Sequence, residues 1–194
     1  MIAELVRCYW VLGMECSLLE IQKLAWFLER SIKLQAPDNP LDLSFKANMY
    51  GPYADRLRHL LEHLDGYYLK CDKRISDAAP LDVIWFNDKH KDQLQAYLKS
   101  DAMKPYLNAL EQTSELIDGF ESPFGMELLS TVDWLLVQEG IEPSVSDIKQ
   151  GLSKWPAGKK SDQRKAQLFD ERVITIALER LSQHSVFYSM KYHA

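Results

Sequence analysis

The sharpest chemical pattern in the chain is His59-Leu60-Leu61-Glu62-His63. The H-x-x-E-H spacing sets two imidazoles one helical turn apart, where they can share a zinc ion while the glutamate activates a bound water. The surrounding helix argues the other way. Leu57, Leu60, Leu61 and Leu64 make an apolar stripe, and His59 and His63 lie about 160° and 120° around the wheel from Leu57, on the side a surface helix turns to water. A zinc centre also needs a third protein ligand, and the candidates Glu111, Glu115 and Glu127 carry no marking motif. A zinc-dependent hydrolase at His59, Glu62 and His63 is thus a competing expectation.

Other reactive constellations are missing. The sequence has no G-x-S-x-G elbow, no G-x-x-x-x-G-K-[ST] phosphate loop and no G-x-G-x-x-G turn, and it has eight glycines in all. Carboxylate pairs such as Glu121 with Glu127 and Asp55 with Glu62 read as surface charge. Cys8, Cys16 and Cys71 form neither a C-x-x-C pair nor a zinc ribbon, as expected of structural thiols in a reducing cytosol. Neither a cofactor nor a metal is expected.

Charge is unevenly spread. The 194 residues hold 23 basic and 28 acidic side chains, a net −5. Between Lys149 and Lys165, six basic residues face Asp162 alone, leaving +5 there and −10 over the rest. With Trp155 in its midst, the basic stretch 149–165 is a candidate nucleic-acid-binding module, phosphates meeting the cations and a base meeting the ring. The Pro156-Ala157-Gly158 break favours a solvated loop instead.

Two segments are more specified than a connection requires. In Tyr50-Gly51-Pro52-Tyr53-Ala54-Asp55-Arg56-Leu57 the glycine frees the backbone, the proline fixes φ and two tyrosines flank the turn. In Gly119-Phe120-Glu121-Ser122-Pro123-Phe124-Gly125-Met126-Glu127 a glycine releases one helix, Ser-Pro opens the next, and two phenylalanines bracket the break.

The elements that must hold these segments are mostly helical. Ser17 and Glu20 have capping-box spacing, and Ile21, Leu24, Leu28 and Ile32 continue the period, predicting a helix over 17–35. Leu41, Leu43, Phe45 and Ala47 alternate with polar residues and predict a strand. Tyr67 to Lys70 and Val83 to Phe86 would join it, giving a mainly α (α+β) fold with an antiparallel sheet of about three strands within residues 41–86. Helices follow over 88–99, 103–118, 123–139, 144–155 and 168–184. The composition, 46% hydrophobic and 26% charged, suits one folded domain over 1–194. No secretory leader or membrane-length apolar run is legible, so a cytoplasmic chain is expected.

At the two turns, and at Glu20-Ile21-Gln22-Lys23-Leu24-Ala25-Trp26-Phe27, the sequence resembles the C-terminal, toxin-binding domain of DarG antitoxins. The likeness runs from Arg7-Cys8-Tyr9-Trp10-Val11-Leu12 to the closing helix. The Gln-Lys-Leu helix followed by Tyr-Gly-Pro is more distantly similar to Panacea or SocA-like antitoxin domains. This resemblance implies a non-catalytic chain, without the family's macrodomain, that neutralises a DarT-type DNA ADP-ribosyltransferase toxin in a toxin–antitoxin system. Its partner would be the toxin, with DNA met only indirectly. Mimicry of single-stranded DNA would then use Asp55, Glu121 and Glu127 as phosphate substitutes and Tyr53, Phe120 and Phe124 as base substitutes, with Tyr50 and Arg56 completing the toxin-binding set.

Overall fold

A computed structural model describes residues 1–184. Its centre is the helix α2 (Leu18–Gln35), which starts where Ser17 and Glu20 cap each other: the serine hydroxyl accepts from the Glu20 amide and the Glu20 carboxylate accepts from the Ser17 amide. Every residue from Leu18 to Ile32 is buried. A helix apolar on one face alone would lie on a core; this one passes through it. Around α2 pack α1 (Ile2–Val11), α5 (Leu107–Ile117), α6 (Pro123–Val137) and the strand β3 (Gly51–Tyr53). The helix α6 is nearly as enclosed, buried from Gly125 to Leu135 between α2, α7 (Val145–Leu152) and α9 (Glu171–Gln183). The helices α3 (Asp55–Leu64), α4 (Lys91–Leu98) and α8 (Lys159–Leu168) complete the α-helices of the described residues.

Enclosing two helices on all sides forces their polar residues to find partners inside. Gln22 exchanges two hydrogen bonds with the backbone of Ala54, donating to its carbonyl and accepting from its amide. Glu29 accepts from Asn39, from the Leu43 amide and from Lys33. Asp133 of α6 accepts from the Trp26 indole at 2.7 Å and is ion-paired with Arg30, both on α2. This pairing is the polar seam between the two central helices.

The fold is mainly α with a small antiparallel sheet, as the patterning predicts, but the strands differ in detail. The three-stranded sheet has the order β1-β5-β4, from Cys16–Ser17 (β1), Val83–Phe86 (β5) and Leu69–Lys70 (β4). One of its strands therefore comes from before residue 41. Lys46–Asn48 (β2) pairs with β3 in a separate hairpin, with Asn48 opposite Gly51. Residues 41–45 do alternate in burial, yet Asp42 and Ser44 have φ of +41° and +54°. A strand cannot hold left-handed residues, and the Leu43 amide bonds to Glu29 in place of a strand partner.

The stretch expected to be a loop between helices contains α8. No helix of the described residues is long and apolar enough to cross a membrane.

Candidate functional site

Where α2, α6 and the hairpin meet, a side chain longer than glycine would crowd its neighbours. Gly51 has φ +95°, and a Cβ there would lie 3.1 Å from Thr131 Oγ1, 3.3 Å from Ser130 Oγ and 3.5 Å from Lys23 Cε. The turn is glycine because of both the backbone angle and the approach to α6. Gly51→Ala is expected to cost about 2–3 kcal/mol, read from the urea midpoint. Gly66→Ala, at φ +75° with open space around it, should lose only about 1–2 kcal/mol. Equal losses at the two positions would sink the close-approach account.

Behind the hairpin lies a set of buried charges. Glu127 of α6 accepts from Arg164 at 2.5 and 2.9 Å and from Lys165 at 2.8 Å. Burial pushes the Glu127 carboxyl up, but the bonds from Arg164 and the charge of Lys165 outweigh it and hold it below the ordinary value. Lys165 is fully buried, donates also to Thr131, and sits 4.9 Å from the centre of the Trp155 ring and 5.5 Å from that of Phe169. Burial lowers its pKa against the pull of Glu127. Arg164 stacks 4.8 Å over Tyr50. Trp155 donates to the Asn48 carbonyl and Ser161 to the Met49 carbonyl, so the segment 155–165 grips the hairpin turn.

On the other side of the hairpin opens a cleft of about 290 Å³. Leu18, Leu19 and Pro80 give it apolar walls, Tyr50 and Tyr53 give it ring faces, and Asn48, Gln22, Arg58 and Lys23 give it polar groups. Arg58 is held in place by the carbonyls of Ser76 and Ala78. Lys23 is 2% exposed and donates to the Pro52 carbonyl at 2.7 Å. Among the described residues it has no carboxylate within ion-pair distance. Burial, reinforced by the nearby Lys165 cation and opposed by Glu127, pushes its pKa down to about 7.

A pH dependence of stability follows. The unfolded lysine keeps its proton up to its ordinary value of 10.5, whereas the folded amine releases it near 7. The unfolded chain then binds more protons, so stability rises with pH above 7. The Met1 amine and Lys165 shift the same way. The buried thiols of Cys8 and Cys16 act oppositely only as pH nears their ordinary 9.0. Urea unfolding between pH 7 and about 8.5 should show Lys23 adding up to about 1.4 kcal/mol per pH unit, a contribution absent from Lys23→Met. Identical slopes in the two proteins would refute it.

The candidate residues do not converge on one site. Tyr50 and Tyr53 line the cleft, half-buried. Asp55 and Arg56 lie on the surface, paired with Lys46 and Asp42. Phe120 is core, with Arg180 over its ring; Glu121 accepts from the Gly119 amide; Phe124 is 43% exposed against Phe169. Glu127 is 3% exposed and cannot present a carboxylate to a partner as phosphate does. His59 and His63 are exposed; the His63 ring hydrogen-bonds the His59 carbonyl, and His59 lies 3.5 Å from Glu62. No group of three metal-ligating side chains occurs among the described residues, so the zinc hydrolase has no geometric support. The basic stretch loses Lys165, Arg164 and Lys149 to ion pairs and Trp155 to the core. Lys23, Arg164 and Lys165 escape a search for exposed chemistry. No sequence signal marks Lys23, which stands among Glu20, Gln22, Glu29 and Arg30 as one more polar residue of an amphipathic helix.

The chain is similar to DNA ADP-ribosyl glycohydrolases. Those of Mycobacterium bovis and Mycobacterium tuberculosis are each 31% identical over 169 residues, 84% of this chain and 43% of the relative. That of Thermus aquaticus is 31% identical over 182 residues, 92% of this chain and 44% of the relative. No family model matches. The chain thus spans less than half the length of these DNA ADP-ribosyl glycohydrolases. Their name corrects the expectations drawn from the DarG resemblance. They are named for an enzyme, so the non-catalytic antitoxin domain, the inhibition of a DarT-type toxin, the DNA mimicry and the "not an enzyme" reading all give way.

Proposed function

We propose that this chain works in the hydrolytic removal of ADP-ribose from DNA, and that the cleft between α2 and the β2–β3 hairpin holds one part of the ADP-ribosylated nucleotide. What carries the reading is the similarity to DNA ADP-ribosyl glycohydrolases over 84% to 92% of the chain. The cleft suits it in composition. Tyr50 and Tyr53 offer faces for a planar base, and such stacking is worth about 1–3 kcal/mol per base. Arg58, anchored by two carbonyls, brings a fixed positive charge for a phosphate. At about 290 Å³, the cleft is at the small end of sites that range over about 300–1,000 Å³, so it takes one ring with its sugar and not the whole adduct.

Hydrolysis of a glycosidic bond passes through an oxocarbenium-like state, in which water joins the anomeric carbon as the base departs. Apolar walls that exclude bulk water, with rings that fix the base, favour that geometry. The test is a single-stranded oligonucleotide carrying ADP-ribose on one base. Purified chain should release ADP-ribose and bind the modified strand more tightly than the unmodified one. Tyr53→Ala should weaken the binding about tenfold. A folded chain that neither releases ADP-ribose nor prefers the modified strand would contradict the proposal.

A further inference from the structure

Lys23 is unlike the other buried cations of this chain. Lys165 is paired with Glu127, and Arg30 with Asp133. Lys23 lines the cleft and donates to the Pro52 carbonyl, and among the described residues it has no carboxylate within ion-pair distance. Its stem is pinned beside Gly51. A lysine desolvated in an apolar pocket beside a second cation is the arrangement that makes an amine a nucleophile.

We propose that Lys23 is a reactive amine that condenses with the aldehyde of an open-chain pentose held in the cleft. The choice of sugar rests on the reading above: release of ADP-ribose from a base frees its anomeric carbon, and the freed sugar equilibrates with its aldehyde. The amine nitrogen adds to the aldehyde carbon and its proton passes to the oxygen, giving a carbinolamine. Loss of that oxygen as water leaves an imine between the sugar carbon and Lys23, with no change of oxidation state. The imine hydrolyses by the reverse steps, so the cleft would retain the sugar reversibly. The neutral fraction of Lys23 at pH 7 or above supports the step; burial is its main cause, with Lys165 of α8 reinforcing it and Glu127 of α6 opposing it.

The experiment uses the intact chain at pH 7.5 with ADP-ribose or ribose 5-phosphate, each in the presence of sodium cyanoborohydride. Hydride adds to the imine carbon and fixes a secondary amine, which peptide mapping locates. The expected result is an adduct on the peptide carrying Lys23 at least tenfold above that on any exposed lysine, with labelling that rises from pH 6 to 8. An adduct confined to exposed lysines such as Lys159 and Lys160, in chain shown to be folded by circular dichroism, overturns the proposal without any variant. Lys23→Met, if folded, should lose the dominant adduct; retention of the same labelled peptide pattern would also overturn it. Labelling of Lys23 by ribose 5-phosphate and not by ADP-ribose supports the reactive amine and counts against the ADP-ribosyl reading of the cleft.

Discussion

Replacing Glu127 with alanine is expected to cost about 3–5 kcal/mol of folding stability. The carboxylate is the counter-charge for both Arg164 and Lys165. Lys165 has no exposed surface and sits among Trp155, Phe169 and Thr131, so losing Glu127 leaves a cation that cannot reach water. Arg164 keeps 31% of its side chain exposed and can turn outward. The double variant Glu127→Ala, Lys165→Met should therefore be more stable than Glu127→Ala alone. The acid limb gives a second reading. Because the folded Glu127 carboxyl lies below its ordinary 4.5, its stabilisation is complete above that value and is lost as pH falls through the folded one. That portion of acid sensitivity should vanish in the single variant. A loss below about 1 kcal/mol by urea titration would mean the charges are solvated and the buried network is misread.

Asp133→Ala should be comparably severe, again about 3–5 kcal/mol. The carboxylate binds the Trp26 indole and pairs with Arg30 across the two enclosed helices. Burial raises its own pKa against the pull of Arg30, which marks a site where charge is tolerated only as a pair. Trp26 also packs edge-on to Phe45 at 5.3 Å and tilted against Trp134 at 5.2 Å, so the helix seam is apolar around the ions. Replacing both partners, Arg30→Met with Asp133→Leu, should recover most of the loss, because an apolar pair needs no counter-charge. A double variant as unstable as Asp133→Ala would show that shape and the indole bond, not an uncompensated arginine, set the cost. Calorimetric melting of the three variants distinguishes these outcomes.

Local signals carried much of the fold. Ser17 with Glu20 announces α2 because capping is a short-range exchange. Val83–Phe86 is a strand as its residue types suggest, and Ser122-Pro123 opens α6 with the serine accepting from Gly125. What failed depends on distant partners. The strand β1 is two residues long, hidden inside the capping motif, and exists only through β5. Residues 41–45 have the alternation of a strand but reach it through left-handed Asp42 and Ser44. Within α8 the buried residues are Ser161 and Lys165, a polar inner face that hydrophobic periodicity cannot register. The site divides similarly. The Tyr-Gly-Pro-Tyr turn stood out through its own residue types, whereas Lys23 gains its character from a helix enclosed on every side, which no window along the sequence displays.

The clamp on the hairpin has a temporal side. The carbonyls of Asn48 and Met49 are held by Trp155 and Ser161, partners 107 and 112 positions further along the chain. At roughly 5–20 residues per second during synthesis, they emerge from the ribosome about 5–20 s after the turn they secure. Until then Tyr50 lacks the stacked guanidinium of Arg164 as well. A nascent chain therefore carries the cleft residues seconds before it carries the side chains that clamp them, and the hairpin is secured only once residues 155–164 have been made.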